Sequence, residues 1–139
     1  RWGASPGAIL FEEKDHGVLE IKCSRTKTSI SPHHLPQCYM EMIATGASWC
    51  DLVVYNPEGN GRIYRVKRHK PTEERMVALL KRALSCNRTN GELGALLLSE
   101  DFSNFRNYLE QVAQELRPYH VLNAAGVHLI KAYKKKKNN

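Results

Sequence analysis

Gly17-Val18-Leu19-Glu20-Ile21-Lys22-Cys23 is the stretch on which the fold turns. Apolar and polar side chains alternate along it, and on an extended strand residues i and i+2 point the same way. Glu20 and Lys22 therefore share one face, with Leu19 and Ile21 on the other. A carboxylate can hold a hard divalent cation. A neighbouring ammonium can orient or deprotonate a water, or neutralise charge building on a phosphate. Metal-dependent phosphodiester hydrolysis uses that combination. Alone, Glu-x-Lys on a strand face is also the ordinary pattern of a solvated ion pair, so its neighbours have to separate the two.

Upstream, Gly3-Ala4-Ser5-Pro6 precedes an apolar run, Ala8-Ile9-Leu10-Phe11, which reads as a strand. Glu12-Glu13-Lys14-Asp15-His16-Gly17 then forms an acidic hairpin turn, since charged clusters ending in glycine mark turns. Downstream, residues 24–36 make a basic, Ser/Thr-rich connection carrying Arg25, Lys27, His33 and His34, suited to phosphate contact, to a lid or to a plain surface loop. Pro36 fits the first turn of a helix, and Gln37, Met40, Glu41 and Ala44 fall on one stripe before Gly46 stops it. Gln37 is expected to lean toward the Glu-x-Lys strand. Residues 49–55 read as the most buried strand, with Trp49 in the core and Asp51 meeting a backbone or lysine partner rather than a metal. Asn56-Pro57-Glu58-Gly59-Asn60-Gly61 turns the chain into a hairpin partner at residues 61–69.

The ordered set Ser5-Pro6, Glu20-Ile21-Lys22-Cys23, Gln37 and Thr45-Gly46-Ala47-Ser48-Trp49-Cys50-Asp51-Leu52-Val53-Val54-Tyr55 resembles the lambda-exonuclease-like viral recombinase branch of the PD-(D/E)xK nuclease superfamily. The resemblance covers residues 3–68. It implies an α+β (α/β) fold with a restriction-endonuclease-like central mixed sheet flanked by helices. It also implies a nuclease-like core over residues 1–86 and a helical extension with a basic tail over residues 87–139. By the same resemblance, Glu20, Lys22 and Gln37 are the catalytic positions. Glu20 and the Ile21 carbonyl are the metal ligands, for Mg²⁺ or Mn²⁺, and the partner is nucleic acid, most simply DNA.

The chain departs from that pattern at one position. Where the family's turn carries an aspartate that binds metal, this sequence has Ser5-Pro6-Gly7-Ala8, so Gly7 (or Ala8, if the turn slips by one) stands in the acid's place. Mg²⁺ dehydrates reluctantly and relies on one or two carboxylates plus substrate phosphates, so losing one weakens its site. Glu12, Glu13 and Asp15 offer a migrated ligand if they are not simply a solvated turn. The family's core also has helices before this point. The expectation is that a longer polypeptide or another protein chain completes the N-terminal side.

Charge and cysteines narrow the partner class. The 139 residues carry a formal charge of +7, from 21 Lys and Arg against 14 Asp and Glu, which favours a polyanionic partner. Arg62, Arg65 and Arg68 lie in one basic segment whose alternation puts Arg62, Tyr64, Val66 and Arg68 on one face and Ile63, Arg65 and Lys67 on the other. That segment reads equally as a phosphate track and as a protected edge strand. With Arg25, Lys27 and His33, these arginines are the expected nucleic-acid contacts. Residues 131–137 form a basic tail that suits a nuclear-localisation signal, a tether or a solubilising end. Four cysteines without a C-x-x-C pair indicate reduced, buried thiols and an intracellular setting rather than zinc. Asn87-Arg88-Thr89 matches a glycosylation sequon but reads as a loop, and no run is apolar for the ~20 residues that a membrane span needs.

Beyond residue 70 the period becomes helical. Met76, Leu79, Leu80, Ala83 and Leu84 form one stripe, residues 93–98 a short apolar element, and Phe102, Phe105, Leu109, Val112 and Leu116 another stripe after a Ser99 cap. Residues 120–133 are a weaker helix or strand. On the missing acid, the expected function is a catalytically degenerate nuclease-like module that binds nucleic acid. The alternative is an active Mg²⁺-dependent DNA exonuclease using Glu20, Lys22 and Gln37, and a protein-interaction domain stands third.

Overall fold

A computed structural model of the chain describes residues 6–123. Gly3, Ala4 and Ser5 of the upstream motif and the basic tail at 131–137 lie outside the described residues. The expected hairpin is present as β1 (Ala8–Glu12) and β2 (Asp15–Cys23), paired antiparallel from Ala8 opposite Leu19 to Glu12 opposite Asp15. Glu13 takes a positive φ of 49° in the turn between them. A short 3-10 turn, Pro32–His34, leads into α1 (Leu35–Thr45), which Gly46 ends in the left-handed region at φ 72°. Crossing over by way of α1 lets β3 (Trp49–Tyr55) run parallel to β2, with Glu20 beside Leu52 and Lys22 beside Val54.

Asn56 closes the next hairpin by accepting from the Glu58 and Asn60 amides at 3.1 Å each. β4 (Gly61–Lys67) then pairs antiparallel with β3. The chain continues through α2 (Lys70–Ser85), α3 (Glu92–Leu97) and α4 (Glu100–Glu115). The Ser99 side chain caps α4 at the Phe102 amide, 3.3 Å away. The expected helical extension is helical as far as α4. His120–Leu122, however, is a short strand, β5, antiparallel to β4 at the sheet edge. The result is an α+β fold with a five-stranded mixed sheet in the order β1-β2-β3-β4-β5, flanked by helices. Among the described residues no helix is long and apolar enough to cross a membrane.

One core serves both parts of the chain. Val18, Cys50, Leu52, Val54, Tyr64 and Val66, alternate residues of β2, β3 and β4, meet Leu35, Cys38, Tyr39 and Met42 of α1, Met76 of α2, and Phe105, Leu109 and Ala113 of α4. Each fully buried aliphatic side chain here, Leu52 or Met42 for instance, contributes about 1.5–3 kcal/mol. The stripe on α2 is shallower than the sequence suggests: Met76 is buried, whereas Leu84 is exposed. The opposite face of the sheet carries a polar clasp. Arg65 holds buried Asp51 at 2.8 and 3.0 Å and Glu12 at 3.0 and 3.1 Å, and lies 3.9 Å above the Trp49 ring. The Tyr119 hydroxyl donates to Asp51 at 2.6 Å.

Candidate functional site

Alternation along β2 turns Val18, Glu20 and Lys22 toward the helices. Val18 is fully buried and Glu20 is 7% exposed, while Lys22 reaches the rim. Lys22 Nζ lies 2.7 Å from Glu20 Oε1 and donates to Gln37 Oε1 at 2.6 Å. Gln37 stands in the first turn of α1, where the helix leaves the Pro32–His34 turn and faces the C-terminal half of β2. The three residues singled out from the sequence therefore converge.

A fourth side chain joins them. Gln37 Nε2 donates to Glu41 Oε1 at 3.0 Å, one helical turn on, and Glu41 is only 1% exposed. Its other oxygen, Oε2, is buried with no hydrogen-bond partner among the described residues. Burial, reinforced by the adjoining Glu20 carboxylate, pushes the Glu41 carboxyl up to about 7; Gln37 and Lys22 pull the other way. Sequence reasoning placed Glu41 on the Gln37 stripe without giving it a role. Its spacing of four residues from Gln37 was the available signal.

Gly7, the residue at the position where the resemblance expects an acid, lies against β2. Gly7 donates its amide to Leu19 O at 2.8 Å, which sets it beside β2 next to Glu20. A Cβ on Gly7 would stand 3.0 Å from that same carbonyl, so a side chain here would press on the β2 backbone. Ser24 donates to Tyr55 O and Leu19 accepts from Gly7. By strand parity the Ile21 backbone therefore faces the β1 side, beyond the last paired position, Ala8. The acids of the turn go elsewhere: Glu12 binds Arg65 on the far face, and Asp15 accepts from the Ser48 hydroxyl at 2.7 Å.

A cleft of about 420 Å³ opens beside Lys22, lined by Lys22, Lys27, His33, His34 and the 29–32 loop. Burial lowers the half-buried His34 below the usual histidine value; the neighbouring His33 and Lys22 add to this, and Glu20 opposes it. A second cleft of about 470 Å³ shares Ser29, Ile30 and Pro32 with the first and adds Arg62, Tyr64, Arg117 and one acid, Glu110. The Tyr64 hydroxyl pins the loop between them through Thr28 O at 3.3 Å. Arg25 is exposed on the same connection. The two clefts thus bring Lys22, Lys27, His33 and Arg62 into one basic track, with Arg117 as an addition that its isolated place in the sequence did not signal.

Arg65 and Arg68 do not join this track. Arg65 is committed to Asp51, Glu12 and Trp49 on the other face of the sheet. Arg68 forms a close two-point ion pair with buried Glu73 and donates to Met42 O at 3.3 Å. The cysteines are free; Cys38 and Cys50 are buried as expected, whereas Cys23 is exposed, and the neighbouring Cys38 thiol together with burial pushes the Cys50 thiol up. No group of three or more His, Cys, Asp or Glu that would hold a metal ion occurs among the described residues. Asn87 accepts from the Thr89 amide at 2.9 Å in an exposed turn, so the sequon is a loop. Comparisons of the chain with family models, with curated proteins and with solved structures find no match.

Proposed function

We propose that this chain is a nuclease-like module that binds nucleic acid, DNA in the first instance, along the track from Lys22 to Arg62. The observation that carries this reading is the convergence of Glu20, Lys22 and Gln37 through contacts of 2.7 and 2.6 Å at the head of a basic cleft. The order of elements also supports a restriction-endonuclease-like arrangement: an antiparallel hairpin, a helical crossover to a parallel strand, then a second antiparallel hairpin. Phosphate oxygens match the donors of Lys22, Lys27, Arg62 and Arg117, and a net charge of +7 draws a polyanion to them.

Gly7 argues for binding without efficient cleavage, because position 7, paired to β2 on the β1 side, offers no acid. Were Mg²⁺ or Mn²⁺ held by Glu20 and the Ile21 carbonyl, it would supply a polarised water and neutralise phosphate charge. Lys22 would then stabilise developing negative charge and Gln37 would orient water. A second reading, the active Mg²⁺-dependent DNA exonuclease, gains from buried Glu41, a carboxylate next to Glu20 that the motif alone does not include.

Fluorescence anisotropy with labelled duplex and single-stranded oligonucleotides in EDTA tests binding. Gel assays of linear DNA with Mg²⁺ or Mn²⁺ test cleavage, with Glu20→Ala and Lys22→Ala as controls. Saturable, salt-sensitive binding without cleavage is expected. Cleavage abolished by both substitutions would establish the enzyme instead, and no binding to either nucleic acid would end both readings.

A further inference from the structure

We infer that Glu20 and Glu41 together form a divalent-cation site, with Glu41 supplying the second carboxylate that the glycine at position 7 does not. The inference deepens the nuclease-like reading by naming the ion and its ligands, and rests on that reading only for its biological use. Glu41 arrives from α1 and Glu20 from β2, so two rigid elements present the two acids.

The geometry leaves one oxygen of each carboxylate for the ion. Lys22 occupies Glu20 Oε1, and Gln37 occupies Glu41 Oε1. Glu41 Oε2 is buried with no hydrogen-bond partner among the described residues, and the Glu41 carboxyl adjoins that of Glu20. A buried acceptor without a partner is costly, and two carboxylates in contact repel unless a cation or a shared proton lies between them. Lys22 neutralises only one of the two. Oxygen-only donors select a hard cation, Mg²⁺, Mn²⁺ or Ca²⁺, over zinc. Gln37 then acts as a positioning residue, bridging Lys22 to Glu41 so that both acids hold their orientation.

Isothermal titration of the whole, chelator-stripped chain with MnCl₂, followed by MgCl₂ and CaCl₂, tests this without nucleic acid. One saturable ion per chain is expected, with saturable binding lost in Glu20→Gln and in Glu41→Gln. The exposed Glu115→Gln should bind like the wild type. If Glu41→Gln fails to fold, the Mn²⁺-induced rise in wild-type Tm, absent in Glu20→Gln, carries the same test. No saturable binding, or binding indifferent to both substitutions, overturns the site and leaves the Glu41–Glu20 contact as a shared proton. DNA binding measured in EDTA separates this outcome from failure of the nucleic-acid reading.

Discussion

Lys22 and Gln37, fifteen residues apart in sequence, meet at 2.6 Å and fasten the end of β2 to the first turn of α1. The bond joins the lysine that faces the cleft to the glutamine that orients Glu41. Lys22 also touches Glu20, so its charge is balanced within the site, yet it retains access to solvent.

Replacing Lys22 by alanine should therefore cost both stability and binding, and salt dependence separates the two. Its ion-pair partner Glu20 is buried, so the substitution leaves a buried carboxylate without its cation and should destabilise by about 3 kcal/mol, read from the urea midpoint. Measured as a phosphate contact, its loss should weaken DNA binding across all sequences. It should also reduce the slope of log K against log[salt] by about 1. Anisotropy titrations at several salt concentrations give both quantities. An unchanged slope would remove Lys22 from the track.

Arg62 and Arg65 should separate in the opposite sense, although the sequence offered both as nucleic-acid contacts. Arg65→Ala leaves Asp51 buried with Tyr119 as its remaining polar partner, and strips the cation from Trp49. Breaking such a pair destabilises by about 3 kcal/mol, visible as a shift in urea midpoint. Arg62 is exposed on the cleft, so Arg62→Ala should keep its midpoint and lose affinity. Equal behaviour of the two variants in both assays would refute the division of roles.

That contrast shows what the sequence could convey. Period-2 alternation placed Arg62 and Arg65 on opposite faces, and β2 with its Glu20 and Lys22 was readable for the same reason. Alternation cannot reveal that Glu12, fifty-three residues upstream, returns to clasp Arg65. Glu41 was hidden differently: glutamate on a helix is ordinarily solvated, and only packing against β2 buries it. β5 is three exposed residues long, and its assignment depends on pairing with β4 rather than on its own pattern.

Gly17 should tolerate no side chain. It lies opposite Trp49 across β2 and β3, and an added Cβ would stand 2.2 Å from the indole ring. The ring cannot retreat freely, because Arg65 covers it at 3.9 Å. Gly17→Ala should destabilise by about 1–3 kcal/mol through overpacking, read from urea denaturation. A wild-type midpoint would show that Trp49 repacks without cost.

The raised carboxyl of Glu41 makes stability depend on pH in a defined direction in metal-free protein. Its folded value of about 7 lies above the ordinary 4.5, so between these limits the folded chain binds more protons than the unfolded one. Stability should therefore fall as pH rises from about 4.5 through 7 and level off above, by an amount on the order of 1–3 kcal/mol. Glu41→Gln keeps the shape and cannot ionise, so the gap in Tm between variant and wild type, measured in EDTA, should widen in favour of the variant across that window. A constant gap would mean that Glu41 titrates as it does in the unfolded chain, and that its burial beside Glu20 carries no electrostatic penalty.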